Sequence, residues 1–185
     1  MSESHIPLPE RLRPRDLAQI IGQDHLLGEQ APLRQMIDQG HLPSIIFWGP
    51  PGVGKTTIAL LLAQAVDRPF ISLSALNTGV KELREIIAEG GDLLTPVVFI
   101  DEIHRFNKSQ QDSLLHAVEK GWIVLIGATT ENPSFEVVSA LLSRSQVYVL
   151  KSLTYEKLEE LIDTALLRFN KDEKTDFEIK EKEAF

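Results

Sequence analysis

The sequence contains no cysteine, which removes disulfide frameworks, thiolate chemistry and cysteine zinc sites from consideration. Long apolar runs are missing as well. None approaches the roughly 20 residues that span a bilayer, and Met1 to Glu10 lacks the basic and apolar regions of a signal peptide. Positive charge is not in excess either: the formal net charge is −8, which argues against wholesale coating of nucleic acid but leaves room for a local basic patch on an assembled ring. No internal repeat and no low-complexity segment occurs. The composition is that expected of a cytoplasmic enzyme domain. At 185 residues, 43% hydrophobic and 25% charged, the chain is long enough for one α/β domain and part of a second element.

What is present is more specific. Gly49-Pro50-Pro51-Gly52-Val53-Gly54-Lys55-Thr56 fits the phosphate-cradling pattern G-x-x-x-x-G-K-[ST] at every required position. Glycines at the ends let the backbone form a nest whose N–H groups point at phosphate oxygens. Lys55 then reaches the β- and γ-phosphates of a nucleotide, and the Thr56 hydroxyl is a ligand for Mg²⁺. The flanks agree: Ile45-Ile46-Phe47-Trp48 reads as a buried parallel strand. Thr57 to Val66, without Gly or Pro and apolar around most of its circumference, reads as a buried helix whose N-terminus faces the phosphates. A Gly-Pro turn without a ligand would explain the prolines but not Lys55 beside the helix start.

Strand patterns at Phe70 to Leu73, Val97 to Ile100, Ile123 to Ile126 and Val147 to Leu150 alternate with helical spacing at Val80 to Glu89 and Lys108 to Glu119. A helix is expected at Ala31 to Gln39, stopped by Gly40, after an entry segment from Arg11 to Ile21. Such alternation predicts a parallel sheet flanked by helices. After Lys151 the character changes. Tyr155 to Phe169 carries Leu158, Leu161, Ile162, Ala165, Leu166 and Phe169 on one stripe, the pattern of an amphipathic helix opening another domain. Asn170 to Phe185 is strongly charged and has no capping signal, which fits either a tail or a chain cut inside a larger protein. The expected layout is a nucleotide-binding domain over 1–152 and the start of a helical lid over 153–185.

Val97-Val98-Phe99-Ile100-Asp101-Glu102 delivers two carboxylates to the C-terminal edge of a strand, where open α/β sheets bind ligands. Asp101 is placed to hold Mg²⁺ through its water shell, and Glu102 is the candidate general base for water attacking the γ-phosphate. The plainer alternative is that both cap the next helix. Ile123 to Thr130 reads as a buried strand ending in hydroxyls; Thr130, in preference to Thr129, is the candidate for bonding the γ-phosphate or the water, the alternative being a threonine that satisfies its own turn. Arg144, in Leu141-Leu142-Ser143-Arg144-Ser145, is either an arginine offered to a neighbouring subunit's site or half of a surface ion pair. His104 and Phe106 read as packing or capping residues.

Together these residues resemble AAA+ ATPases of the clamp-loader branch, whose Ser-Arg-Cys finger motif here has Ser145 in the last place. Longer runs narrow the resemblance: Arg13-Pro14 with Ile21-Gly22-Gln23-Asp24-His25-Leu26, His104 to Asp112, and Gly127 to Phe135 are similar to the replication-associated recombination protein A family, whose eukaryotic relatives are the Werner-helicase-interacting proteins. The resemblance covers Arg11 to Ser152. It implies a P-loop fold with a five-stranded parallel sheet and a DNA-dependent, oligomeric ATPase acting at replication forks, in repair and in recombination. The implied ligands are ATP or ADP with Mg²⁺. Single-stranded-DNA-binding protein is an implied partner, and nucleoid association an implied location.

By matched position, Lys55 and Thr56 take Walker-A roles and Asp101 and Glu102 Walker-B roles. Thr130 becomes sensor 1 and Arg144 the finger supplied in trans. Ile21 and Gly22 match the segment lying against adenine, and Pro50, Pro51, Gly52, Val53, Gly54 and Thr57 complete the nucleotide contacts. The family's sensor-2 run is absent from this sequence, so weak or no turnover is expected of it alone. By analogy with clamp loaders, Lys81, Arg84, Arg105 and Lys108 are candidates for DNA phosphates; equally, they solubilise helix surfaces beside Glu82, Glu85 and Glu89. Two other classes of function are a nucleotide-gated module with negligible turnover, which leaves Glu102 without a purpose, and a small-molecule kinase, which leaves Arg144 unused.

Overall fold

The computed structural model describes residues 8–75, 85, 95–173 and 175–178. The expected helix over Val80 to Glu89, with Lys81 and Arg84, therefore lies outside the described residues except for Glu85. Five strands, β1 (Ile45–Trp48), β2 (Phe70–Ser74), β3 (Val97–Asp101), β4 (Val124–Thr129) and β5 (Gln146–Val149), form one sheet in the order β2-β3-β4-β1-β5. Every pairing is parallel, with Ile45 opposite both Ile126 and Gln146, and Phe99 opposite Ile126. Around it run α1 (Leu8–Arg11), α2 (Asp24–Leu27), α3 (Pro32–Asp38), α4 (Lys55–Ala65), α5 (Lys108–Glu119), α6 (Pro133–Glu136), α7 (Ser139–Leu142) and α8 (Tyr155–Glu173).

The near-continuous apolar runs of β1, β3 and β4 follow from burial on both faces. Because side chains alternate along a strand, Ile45, Phe47, Val97, Phe99, Ile126 and Ala128 pack with Ile58 and Leu62 of α4 on one face. Ile46, Val98, Ile100 and Leu125 pack with Leu114 and Ala117 of α5 and Leu141 of α7 on the other. The sheet is thus the middle layer of three. Its order sets the site: β4 lies between β1 and β3, so the C-terminal ends of β1, β4 and β3 fall side by side on one edge of the sheet.

Local signals place the helix starts. Asn107 and Gln110 form a reciprocal capping box at α5: Gln110 N donates to Asn107 Oδ1 at 3.0 Å and Asn107 N donates to Gln110 Oε1 at 2.9 Å. Asn132 accepts from Ser134 N at 3.0 Å, with Pro133 at the first position of α6. In α8 the expected stripe is only partly covered: Ile162, Ala165, Leu166 and Phe169 are half-buried, while Leu158 and Leu161 stay exposed.

Candidate active site

The loop after β1 is shaped by its glycines. Gly52 and Gly54 have φ of 79° and 91°, in the left-handed region that side chains rarely enter. Gly49 is constrained differently, because a Cβ there would lie 2.6 Å from the carbonyl oxygen of Leu150. Gly54 is the cap residue of α4 and offers no side chain to it, so the helix begins at Lys55 rather than at Thr57. Lys55 and Thr56 consequently occupy the first helical turn. Pro50, Pro51 and Gly52 are exposed, Val53, Gly54 and Thr57 are half-buried, and Thr56 is exposed.

Lys55 is only 8% exposed. Its Nζ donates to the carbonyl oxygens of Gly49 at 2.7 Å and Pro50 at 2.9 Å, which uses two of its three protons and leaves one for an anion. Burial pushes the ammonium below the ordinary lysine pKa, and the carboxylates of Glu102 and Asp101 pull it back upward. A partly desolvated cation at the N-terminus of an 11-residue helix, beside a glycine loop whose Gly52 has open space around it, is the donor set that a phosphate chain requires.

The carboxylates lie across the sheet edge. Asp101 ends β3 and accepts from Glu102 N at 3.2 Å. Glu102 is one of two non-glycine residues with positive φ among the described residues (φ 52°, ψ 49°). That conformation costs on the order of 1 kcal/mol or more and is characteristic of functional turns. Glu102 makes no capping bond to the short turn that follows it, so the capping alternative does not describe its side chain. Thr130 Oγ1 lies 3.4 Å from Glu102 Oε2, donating to it. Thr129 is fully buried and satisfies its own turn: its hydroxyl accepts from Glu131 N at 3.0 Å and donates to Glu131 O at 3.2 Å. The two threonines therefore divide the two readings, with Thr130 beside the acid and Thr129 in the turn.

Arg144 stands apart. It follows the short α7, is 43% exposed, and pairs with Glu119 at the end of α5 at 2.7 Å. Its Nη1 also donates to Ala140 O at 3.0 Å and to Ser143 Oγ at 3.1 Å. Ile21 and Gly22 are half-buried, and a Cβ on Gly22 would collide with Leu153 Cδ2 in the stretch after β5. Gln23 fixes that junction: its buried amide donates to Lys151 O at 2.8 Å and accepts from Lys151 N at 3.2 Å. Arg105 and Lys108 are exposed.

Three residues acquire roles that the sequence reading did not give them. His104 Nδ1 lies 3.0 Å from Thr129 Oγ1 and 3.1 Å from Glu102 Oε2, linking the ends of β3 and β4. Gln111, 4% exposed, donates to Phe106 O at 3.0 Å and Glu136 O at 3.1 Å and accepts from Val138 N at 2.8 Å. It thereby ties the turn after Glu102 to the segment that carries Arg144. Gln23 is the third, and neither it nor Gln111 stands out in the sequence, where Gln111 lies between Gln110 and Asp112 and Gln23 precedes Asp24 and His25.

Comparison with known proteins agrees with this geometry. Residues 45–153, more than half of the chain, match the AAA family, the ATPase family associated with various cellular activities. The chain is 51% identical over 165 residues to "Replication-associated recombination protein A" of Haemophilus influenzae, covering 86% of this chain and 37% of that protein. It is 47% identical over 168 residues to "ATPase WRNIP1" of Dictyostelium discoideum, covering 89% of this chain and 19% of that one. The solved structure of the Thermotoga maritima RuvB Holliday junction branch migration motor superposes with a TM-score of 0.74 at 30% identity, covering 86% of this chain and 55% of RuvB. The chain thus spans little more than a third of the bacterial relative's length. Among the described residues, no helix is long and apolar enough to cross a membrane. With its phosphate loop, acidic strand end and five-stranded parallel sheet in place, the chain belongs to the AAA family of ATPases, and within that family its sequence matches replication-associated recombination protein A.

Proposed function

We propose that this domain binds ATP with Mg²⁺ and hydrolyses it at the joint between subunits of a DNA-acting assembly that serves replication forks, repair and recombination. The observation that carries the reading is the row of groups along one sheet edge: Lys55 after β1, Thr130 after β4, Asp101 at the end of β3 and Glu102 just after it. Thr56 and Asp101 would hold the cation, which neutralises charge on the phosphates. Lys55 binds and orients the β- and γ-phosphates. Glu102 takes the proton from the water as its oxygen adds to the γ-phosphorus and the bond from that phosphorus to the β–γ bridging oxygen breaks, ADP leaving with the bridging oxygen; Thr130 holds the γ-phosphate or that water. Arg144, exposed and away from these groups, is supplied to the adjacent subunit, where its charge stabilises the transition state. Ile21 and Gly22 lie against the base.

The reading extends to layout and partners. The passage from a buried sheet to the part-covered helix α8 supports a nucleotide-binding domain over 1–152, with a lid beginning at 153. The names of the relatives support DNA as partner, with the exposed Arg105 and Lys108 as phosphate contacts. The test is steady-state phosphate release by the full-length protein with and without forked DNA. Forked DNA should raise turnover, and Glu102→Gln should lower it by about 10²- to 10⁴-fold while nucleotide binding survives. Normal turnover in Glu102→Gln removes Glu102 from the mechanism; binding without turnover under any condition leaves a nucleotide-gated module.

A further inference from the structure

We propose that His104 is a positioning residue for Glu102, holding the carboxylate from the end of β4. The inference rests on the reading of Glu102 as general base and adds the group that orients it. His104 is 14% exposed on its side chain and Glu102 31%, so the contact is sheltered but open on one side. The contacts of Thr129 and Glu102 together bear on which ring nitrogen of His104 holds the hydrogen. The Thr129 hydroxyl has a single hydrogen, given to Glu131 O at 3.2 Å, and it accepts from Glu131 N at 3.0 Å. One acceptor position remains, and His104 Nδ1 lies 3.0 Å from it. The same Nδ1 is 3.1 Å from Glu102 Oε2, an oxygen that in a carboxylate only accepts. A bare Nδ1 would set two lone pairs against each other at that distance, so Nδ1 carries the hydrogen, which it donates to Thr129 Oγ1, and the carboxylate oxygen lies beside that N–H within ion-pairing range.

This arrangement has a mechanical consequence. Glu102 sits in a left-handed turn, a backbone conformation that does not by itself fix where its carboxylate points. His104, two residues on, leans on Thr129, whose side chain is fully buried and locked in the β4 turn. Thr130 Oγ1 approaches the same Oε2 at 3.4 Å. Both groups facing Oε2 are therefore anchored at the end of β4, the strand between the acid and the phosphate loop. Oε1 is left for the water. A displacement at the end of β4 reaches the acid through His104, without any change at Lys55.

The experiment uses the full-length protein and separates a polar contact from packing. His104→Phe keeps a ring but removes the N–H, and His104→Asn restores an N–H on the atom bonded to Cγ, where Nδ1 stands. Turnover should fall roughly ten- to a hundredfold in His104→Phe, the usual cost of losing an orienting partner, and His104→Asn should recover most of that loss. Affinity for a fluorescent ATP analogue should stay within about threefold in both. In a Glu102→Gln background, His104→Phe should add little further loss. A readout independent of turnover is the ¹⁵N–¹H correlation of His104, assigned by its disappearance in His104→Asn, which should show hydrogen on Nδ1. A bare Nδ1, full activity in His104→Phe, or equal losses in the Phe and Asn variants would overturn the inference. If Glu102→Gln turns over normally, the reading beneath it fails instead.

Discussion

Lys55 and Arg144 are the two cationic side chains of the proposed reaction, and the fold treats them in opposite ways. Lys55 is 8% exposed, bonded to two carbonyls of its own loop, and set at the start of a helix that packs into the core. Arg144 follows a four-residue helix, is 43% exposed, and is held by one ion pair and two bonds to its own turn. The first environment carries a desolvation cost that depresses the pKa of Lys55, a cost that an arriving phosphate offsets. The second is nearly free of structural consequence, as exposed ion pairs contribute about 0–1 kcal/mol. An exposed cation just after a short helix that Gln111 ties to the turn following Glu102 fits the proposed role outside its own subunit.

The largest expected effect tests that contrast directly. Arg144→Ala should lower turnover of the assembled protein by roughly 10³-fold or more, as for other arginines supplied to a neighbour's site. Its thermal unfolding should shift by less than about 1 kcal/mol. Mixing it with Lys55→Ala should restore part of the activity, because one composite site then holds both an intact loop and an intact arginine. No recovery at any mixing ratio breaks the trans assignment. On the phosphate side the pattern should reverse: Gly49→Ala forces a Cβ to within 2.6 Å of the Leu150 carbonyl, which cannot rotate away. It should cost about 1–3 kcal/mol in urea unfolding as well as nucleotide affinity. An unchanged urea midpoint would show that the loop is softer than its contacts suggest.

The same contrast explains what was readable in the chain. The phosphate loop and the acidic strand end are legible because each residue answers a local demand: glycines for positive φ, apolar runs for burial on both sheet faces, carboxylates at a strand's end. The strands β1 and β3 were expected at their observed positions to within one residue, and the five-stranded parallel sheet likewise. Contacts that depend on strand order were not legible. His104 meets Thr129 only because β4 lies beside β3, and Gln23 meets Lys151 across 128 residues of sequence. The start of α4 was misjudged by two residues for a related reason: Gly54 starts the helix from a left-handed turn and provides none of the side-chain signals that mark other caps. Burial, which sequence does not print, separates Thr129 from Thr130.

The smallest effect concerns the tether of Arg144 itself. Glu119→Gln removes the carboxylate 2.7 Å from Arg144 Nη2 but keeps a side chain of similar size at the end of α5. Both partners are well exposed, so the loss in stability should be below about 1 kcal/mol and should shrink further as salt rises toward 1 M. The bonds to Ala140 O and Ser143 Oγ remain and keep the turn in place. In the assembled protein, an arginine that must leave Glu119 to reach a neighbour loses a competitor. Turnover should therefore stay within about twofold of the parent or rise slightly, the opposite sign to Arg144→Ala. A fall as deep as that of Arg144→Ala would mean that the Glu119 pair sets the working position of the arginine. The exposed half of the site would then be built within the subunit after all, as the Lys55 half is.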